Sequence, residues 1–315
     1  METSISVGGI REAADVIDPV FLNSPQFDCE PLSQRLGVTT VLKVETANPI
    51  RSFKGRGTDF LLHRLGTNTP ALVCASAGNF GQGMAFACRK RGVRLTVFAS
   101  HKANPLKLAR MSELGAKIEL EVGDFDDAKA AARRHADKHG AQFIEDGLIG
   151  AIGEGAGTIG LELTRHEKFD AVFVPLGNGS LVNGVGTWIK HASPDTRVVA
   201  VCAERAPSMA LSWKARKAVD APSDSIADGI AVRVPIPAAV DITLDTVDDI
   251  ALVSDDAMRD WMRRIFIDAG LVVEPSAAAG LAAIAERAHE LRGKRVAAIL
   301  TGGNLTEQQI RDWLF

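Results

Sequence analysis

Short β-branched apolar runs alternate with amphipathic segments along almost the whole of this 315-residue chain. The segments between the runs carry apolar residues at three- and four-residue spacing, as in MRDWMRRIFIDAG at 258–270, and predict helices. Strands that alternate with helices form βαβ units, so we expect an α/β fold with largely parallel sheets flanked by helices. The predicted strands lie at residues 40–45, 71–76, 94–100, 117–122, 142–146, 170–177, 196–204, 249–254 and 295–303.

The bulk composition excludes several classes of protein. Hydrophobic residues make up 46% and charged residues 24%, as in a soluble globular protein, and the length of 315 residues predicts two lobes. A net charge of −3 predicts no affinity for nucleic acid or an anionic membrane. No run of apolar residues predicts a membrane span or a signal peptide. Cys29, Cys74, Cys88 and Cys202 are too widely spaced for a zinc ribbon. We expect buried free thiols and a cytoplasmic protein.

Four glycine-containing stretches follow the ends of predicted strands and precede predicted helices. They are RSFKGRG at 51–57, ASAGNFGQG at 75–83, PLGNGSLVNGVG at 175–186 and LTGGNLT at 300–306. The carboxyl ends of parallel strands meet at one edge of a sheet, where such folds bind ligands. These stretches are therefore expected to converge on one cleft.

The stretch 175–186 has the properties of a phosphate-binding loop. Gly177 and Gly179 allow close approach to the backbone, the following helix offers free N–H groups, and Ser180 adds a hydroxyl. A dinucleotide-binding loop is an alternative, with Glu204 at the end of the next strand as the ribose-binding acid. That alternative lacks a glycine at Val182, where close packing of helix on strand requires one.

Lys54 is the candidate reactive amine. An amine forms an imine with an aldehyde only when it is neutral, and burial beside other cations favours loss of its proton. Phe53, Arg51 and Arg56 surround Lys54 in the sequence. An aldehyde cofactor that also carries a phosphate is pyridoxal 5′-phosphate (PLP). The alternative is an ordinary surface lysine.

Taken together, these motifs resemble those of fold-type II PLP-dependent enzymes, in the threonine/serine dehydratase and serine racemase group of the tryptophan synthase β-like superfamily. SFKGRG resembles the Schiff-base motif S-F-K-x-R-G, and SAGNFGQG resembles the S-[SA]-G-N-x-[GA]-Q-[GA] loop. VPLGNGSLVNG resembles the phosphate loop of that group. GEGAGTIGLEL, IADGIAV, VEPSAAAGLAA and LTGGN resemble its remaining motifs, and the resemblance runs from about residue 20 to about residue 305.

The resemblance implies a role for each matched residue. It implies that Lys54 carries the Schiff base and is the base that removes the α-proton of the substrate. It also implies a large PLP-binding lobe of residues 1–46 and 143–315, a small inserted lobe of residues 47–142, and a homodimer. The implied cofactor-binding residues are Lys54, Phe53, Asn79, Gly177, Asn178, Gly179, Ser180, Leu181, Glu274 and Thr301. The implied substrate-binding residues are Ser76, Ala77, Gly78, Asn79 and Phe80.

The resemblance favours α,β-elimination from a small L-β-hydroxy amino acid such as threonine or serine. Thr301 would place a neutral hydroxyl at the pyridine nitrogen, which favours expulsion of a β-substituent over prolonged storage of charge in the ring. Ala77 stands where racemases have a serine, so it cannot supply a proton to the second face. The alternatives are β-replacement, threonine synthase-like chemistry, racemisation, PLP binding without turnover, and a nicotinamide dinucleotide oxidoreductase.

Several positions depart from the family pattern. Asn178 and Ser180 replace two glycines of the phosphate loop, and Phe80 replaces a common histidine. Arg51 replaces a glycine and has two interpretations, a contact for a second substrate carboxylate or a solvated side chain. Some relatives bind a cation through an acid at the position of Glu204 and a second acid six residues on. That second position is Ala210 here, so no metal site is expected.

Overall fold

Two separate sheets organise the computed structural model, which describes residues 3–315. In spatial order, the six-stranded sheet consists of β1 (Gln26–Asp28), β2 (Thr39–Val44), β10 (Arg295–Leu300), β7 (Ala171–Pro175), β8 (Arg197–Ala203) and β9 (Asp249–Val253). The four-stranded sheet consists of β5 (Lys117–Glu121), β4 (Leu95–Ser100), β3 (Leu72–Ala75) and β6 (Gln142–Ile144).

The strands pair in parallel throughout, except that the edge strand β1 runs antiparallel to β2. The predicted α/β class and the nine predicted strands are confirmed. Only β1 was not predicted, because its QFD sequence is short and two of its three residues are exposed.

The helices cover both faces of each sheet, and several of them begin at a side chain that accepts one of their first N–H groups. The carboxylate of Asp124, for example, accepts the N–H of Asp126 at 2.8 Å at the start of α6. Ser254 caps α11 by accepting the N–H of Ala257, so this helix starts three residues before the predicted 258–270 segment. The helices are α1 (Val7–Val16), α2 (Glu30–Leu36), α3 (Lys54–Leu65), α4 (Asn79–Arg91), α5 (Pro105–Glu113), α6 (Phe125–His139), α7 (Gly150–Thr164), α8 (Ser180–Ala192), α9 (Ser208–Ala215), α10 (Pro237–Thr246), α11 (Asp255–Ala269), α12 (Pro275–Glu286) and α13 (Glu307–Leu314).

The central strands of the six-stranded sheet are buried on both faces. In β7, Ala171 and Phe173 pack against the core formed with α11 and α12, whereas Val172 and Val174 pack against α7 and α8. A strand covered on both faces needs apolar side chains at every position, so such strands appear in the sequence as unbroken apolar runs. The parallel pairing of these strands brings the glycine-containing loops at their carboxyl ends to one edge of the sheet.

A buried ion-pair network joins α3 to the six-stranded sheet. The Arg56 guanidinium is fully buried; it donates to both oxygens of Glu45 at 2.8 Å and to both oxygens of Glu162, at 2.6 and 2.9 Å. Lys43 also donates to Glu162. Arg56 therefore has carboxylate partners of its own. The structure differs here from the expectation that Arg56 is a cationic neighbour of Lys54.

Other sequence-based expectations concern the thiols and the lobes. All four cysteines are buried and unpaired, as predicted, and burial raises the pKa of the Cys202 thiol to about 12. Within residues 3–315, no helix is long and apolar enough to cross a membrane. The division into lobes at residues 47–142 stays a prediction; β6 crosses its second boundary.

Candidate active site

A cavity of about 500 Å³ lies between the two sheets, at the carboxyl ends of strands from both. Its walls come from the loops after β3, β6, β7 and β10 and from the start of α3. Ser180 lies beside it and contacts the wall residue Asp146. The predicted site residues that line this cavity are Phe53, Lys54, Ser76, Ala77, Gly78, Asn79, Phe80, Gly177, Asn178, Gly179, Leu181, Glu274 and Thr301.

Lys54 is the first residue of α3, and its side chain is only 13% exposed. Its ammonium forms an ion pair with Asp146, which follows β6. The Lys54 nitrogen lies 4.7 Å from the ring centre of Phe53 and 5.9 Å from that of Phe80. Lys54 thus lies beside two aromatic rings, and it has a carboxylate partner that the sequence did not predict.

Asp146 also contacts the predicted phosphate loop. Its second oxygen accepts the hydroxyl of Ser180 at 2.6 Å. Burial by itself would raise the pKa of Asp146, but the charge of Lys54 and hydrogen bonds from Lys54, Ser180 and Asn178 outweigh it and hold that pKa below its ordinary value. We conclude that Asp146 is a carboxylate in this structure.

The loop between β7 and α8 requires its two predicted glycines. A Cβ on Gly177 would lie 2.7 Å from the carbonyl oxygen of Gly229, and Gly179 has a φ of 102°. Gly179 precedes α8 and has no side chain that could accept the N–H groups of the first turn, and within residues 3–315 only the N–H of Ser180 meets a side chain, that of Asn178 at 3.4 Å. The first turn of this helix therefore presents N–H groups and the positive end of the helix dipole beside the cavity.

A hydrogen-bonded chain of polar side chains holds Asn79 in the opposite wall. The Asn79 amide donates to Glu274 at 2.6 Å, and its oxygen accepts from Asn304 at 2.8 Å. Burial raises the pKa of Glu274. The other Glu274 oxygen and the Ser276 hydroxyl are buried and find no hydrogen-bond partner among residues 3–315. The Glu274 oxygen lies 3.9 Å from the Lys107 ammonium, and both polar atoms keep hydrogen-bonding capacity for a ligand.

The loop after β3 is held by its own serine. The Ser76 hydroxyl oxygen accepts the N–H of Gly81 at 2.9 Å and that of Gly78 at 3.2 Å. Its own proton stays available for donation. Thr301, at the end of β10, is buried, and its carbonyl oxygen accepts the N–H of Phe53. This contact places Thr301 beside the start of α3.

Two residues considered from the sequence lie elsewhere. Arg51 is exposed, does not line the cavity and has a φ of 51°, the left-handed region that favours glycine. This backbone conformation is compatible with the glycine that the family pattern has at this position. Glu204 is also exposed and does not line the cavity, which removes the ribose-binding acid of the dinucleotide alternative.

Sequence reasoning missed several residues of the cavity wall and its supports. Lys107 on α5 is buried and donates to Asp228 at 2.6 Å, so it joins the two sides of the cavity. A lysine among the apolar positions of α5 gave no signal in the sequence. Asp146 gave a weak one, since it is an acid at the carboxyl end of a predicted strand. The missed residues are Asp146, Lys107, Asp228, Ser276 and Asn304.

Comparison with known proteins identifies the family to which this chain is similar. The family model described as "Pyridoxal-phosphate dependent enzyme" matches residues 17–302. An L-threonine ammonia-lyase of Thermotoga maritima is 32% identical over 310 residues, which are 97% of this chain and 77% of that protein. A biosynthetic L-threonine dehydratase of Salmonella typhimurium is 32% identical over 308 residues, 96% of this chain and 59% of that protein.

Solved structures agree with the family match. The processed form of threonine deaminase isoform 2 from Solanum lycopersicum has a TM-score of 0.88 at 27% identity and covers 99% of this chain and 94% of its own. Maize serine racemase has a TM-score of 0.91 at 26% identity, with coverage of 98% and 96%. Within residues 3–315, no group of three His, Cys, Asp or Glu side chains is placed to hold a metal ion.

Proposed function

This chain belongs to the pyridoxal-phosphate dependent enzyme family, and we propose that it eliminates water from a small L-β-hydroxy amino acid such as threonine or serine. The products are a 2-oxo acid and ammonia. The observation that carries the proposal is the arrangement of Lys54, the 177–181 loop and Thr301 around one cavity. Relatives named threonine ammonia-lyase and threonine dehydratase support the choice of substrate.

The cavity fits the cofactor in size and in chemistry. A volume of about 500 Å³ lies within the usual range for small-molecule sites. The N-terminus of α8 and its glycine loop suit a phosphate, and Lys54 suits an aldehyde. One oxygen of Glu274 and the Ser276 hydroxyl make no hydrogen bond within residues 3–315, and they suit polar groups of a bound ligand. We propose that Asn79 and Thr301 hold the ring and that residues 177–181 hold the phosphate.

When bound, the cofactor supplies an electron-withdrawing ring that stabilises negative charge at the α-carbon. The remaining tasks fall to side chains and backbone groups of this chain. Lys54 accepts the α-proton at its side-chain nitrogen. Ser76 and the backbone of the 76–80 loop bind and orient the substrate carboxylate, and Phe53 and Phe80 exclude water from the amine of Lys54.

Two positions favour elimination over racemisation. Thr301 offers a hydroxyl and no charge, so it does not impose a proton on a ring nitrogen. Ala77 lines the cavity and has no proton to deliver to the second face of the α-carbon. Both positions would therefore favour departure of the β-hydroxyl group over return of a proton to the α-carbon.

The test is release of 2-oxo acid and ammonia by purified protein with added PLP. The panel contains L-serine, L-threonine, both 3-hydroxyaspartates and phenylserine. We expect equal amounts of both products from serine or threonine. Phe80 gives the cavity wall beside the substrate loop an apolar side chain, and Arg51, which could have bound a second substrate carboxylate, does not line the cavity. Yellow protein that releases neither product from any substrate of the panel would contradict elimination and favour β-replacement. Loss of optical rotation without ammonia would favour a racemase.

Replacing Thr301 with alanine tests the assignment of the ring contact. We expect kcat to fall by roughly tenfold, because one hydrogen bond to the ring is lost while Lys54 remains. The Thr301 backbone carbonyl, which accepts from Phe53, is unaffected by the change. Steady-state kinetics and the cofactor absorption spectrum measure the effect. Unchanged kcat and spectrum would show that Thr301 does not contact the ring.

We also propose that residues 47–142 form a small lobe inserted in the large one, and that the protein is a cytoplasmic homodimer. The four-stranded sheet, built from strands between Leu72 and Ile144, supports the small lobe. The four buried free thiols support a reducing compartment. The homodimer rests on the resemblance to dimeric enzymes, and sedimentation equilibrium measures it.

A further inference from the structure

The carboxylate of Asp146 touches the proposed base directly. One of its oxygens pairs with the Lys54 ammonium, and the other accepts the Ser180 hydroxyl at 2.6 Å. Both side chains of the ion pair are largely buried, at 13% exposure for Lys54 and 11% for Asp146. An ion pair of this kind is only weakly screened by solvent, because little water reaches it.

The proposed reaction changes the charge of Lys54. When Lys54 takes the α-proton, the Cα–H bond breaks, its electron pair stays with the α-carbon, and an N–H bond forms at the lysine nitrogen. The neutral amine becomes an ammonium ion in a largely buried site. Burial alone disfavours this charged product, whereas a carboxylate beside the ammonium favours it.

We propose that Asp146 is the counter-ion of Lys54 in catalysis: it orients the amine and stabilises the ammonium that forms as Lys54 takes the α-proton. This inference rests on the proposed function. Asp146 stays a carboxylate throughout and exchanges no proton of its own. Its role is like that of the buried carboxylate that orients and stabilises the base in a hydrolase triad.

The second contact of Asp146 predicts an effect on phosphate binding. A phosphate bound at the 177–181 loop would lie near the Asp146 carboxylate, because Ser180 of that loop contacts Asp146. The phosphate and the carboxylate carry charges of the same sign and would repel each other. In the absence of Asp146, the Lys54 ammonium would be free to attract the phosphate. A residue that merely supported the loop would have the opposite effect when it is removed, because the loop would become less ordered.

The experiment compares wild type with Asp146→Asn, Asp146→Glu and Glu145→Gln. The asparagine keeps the shape and removes the charge, while the glutamate restores a charge. Glu145→Gln is the matched control, because Glu145 pairs with Lys129 and Arg133 instead of Lys54. Circular dichroism and thermal unfolding check that every variant is folded.

The first readout uses protein freed of cofactor and needs no turnover. Acetic anhydride modifies neutral amines, and mass spectrometry of the peptide containing Lys54 gives its rate of acetylation. We expect Asp146→Asn to raise this rate roughly tenfold or more, the usual effect of an opposite charge on the balance of charged and neutral forms. Asp146→Glu restores a slow rate, and Glu145→Gln leaves it unchanged. Equal rates in Asp146→Asn and wild type overturn the proposal.

The second readout is the binding of pyridoxine 5′-phosphate, measured by calorimetry. This compound carries an alcohol in place of the aldehyde, so it reports phosphate binding without covalent attachment. We expect Asp146→Asn to bind it more tightly than wild type. Weaker binding would assign Asp146 a structural role in the loop and overturn the counter-ion role.

The third readout is the isotope effect on kcat with α-deuterated serine. We expect Asp146→Asn to lower kcat by one to two orders of magnitude and to raise the isotope effect, because proton abstraction becomes slower than the other steps. A lower kcat with an unchanged isotope effect contradicts the proposal. Wild-type protein that is colourless and inactive would contradict the proposed function. The acetylation rates would still show whether Asp146 pairs with Lys54.

Discussion

Replacing Lys54 with alanine should abolish turnover, with kcat falling by roughly 10⁴-fold or more, because covalent attachment and the base both disappear. The fold should survive, since the side chain projects into a cavity and its main partner is Asp146. The measurements are product release in the presence of excess PLP, and the appearance of the yellow band. Lys102→Ala, which removes an exposed lysine, is the control.

Two results with Lys54 variants would bear on whether this prediction is contradicted. If Lys54→Ala keeps near-normal kcat, another amine carries the cofactor and the whole site assignment fails. If the variant is inactive but also unfolded, Lys54→Arg, which keeps the charge beside Asp146, replaces it in the test. That variant should be folded and equally inactive, because a guanidinium does not form the covalent link.

The second large effect is on stability and comes from Arg56. Arg56→Ala should lower the free energy of unfolding by about 3–5 kcal/mol, because it leaves the buried Glu45 carboxylate without its cation and Glu162 with Lys43 alone. Glu45 is fully buried and the Glu162 side chain is 6% exposed, and both lose two hydrogen bonds from the guanidinium. Urea unfolding followed by circular dichroism measures the change.

A matched surface substitution gives the scale for this effect. Arg35 also makes two hydrogen bonds to a carboxylate, that of Asp268, but its side chain is 42% exposed. Arg35→Ala should cost no more than about 1 kcal/mol, since water replaces the missing partner. Similar losses from Arg56→Ala and Arg35→Ala would contradict the view that the buried network holds α3 in place.

Much of the fold followed from the sequence because burial leaves a simple pattern. Strands such as β7 and β10 are covered on both faces, so they appear as apolar runs, and glycine-containing loops mark their carboxyl ends. Parallel pairing then brings those loops to one cleft. The short edge strand β1 was not predicted, because two of its three residues are exposed and it is too short to show an alternating pattern.

The sequence was a much poorer guide to which side chains pair with each other. Lys54 and Arg56 are two residues apart, and the sequence suggested that they act together. They lie in the first turn of α3, where side chains two positions apart do not face each other. Arg56 turns to Glu45 and Glu162, and Lys54 turns to Asp146. If the sequence had shown that α3 begins at Lys54, it would also have shown that Lys54 and Arg56 point in different directions and have different partners.

Asp146 escaped prediction for a different reason. It is 92 residues from Lys54 in the sequence, and no motif connects the two. Their contact exists only because β6 lies at the edge of the four-stranded sheet that opens toward the cavity. Contacts of this range depend on the packing of whole sheets, which local spacing does not encode.

The central claim is that Lys54 carries the cofactor, and borohydride reduction tests it most directly. Protein incubated with PLP is reduced, digested and analysed by tandem mass spectrometry, because reduction makes the link between amine and aldehyde permanent. We predict one phosphopyridoxyl group, located on Lys54 in the RSFKGRG stretch. A modification confined to another lysine, or none on protein that stays folded, would contradict this claim.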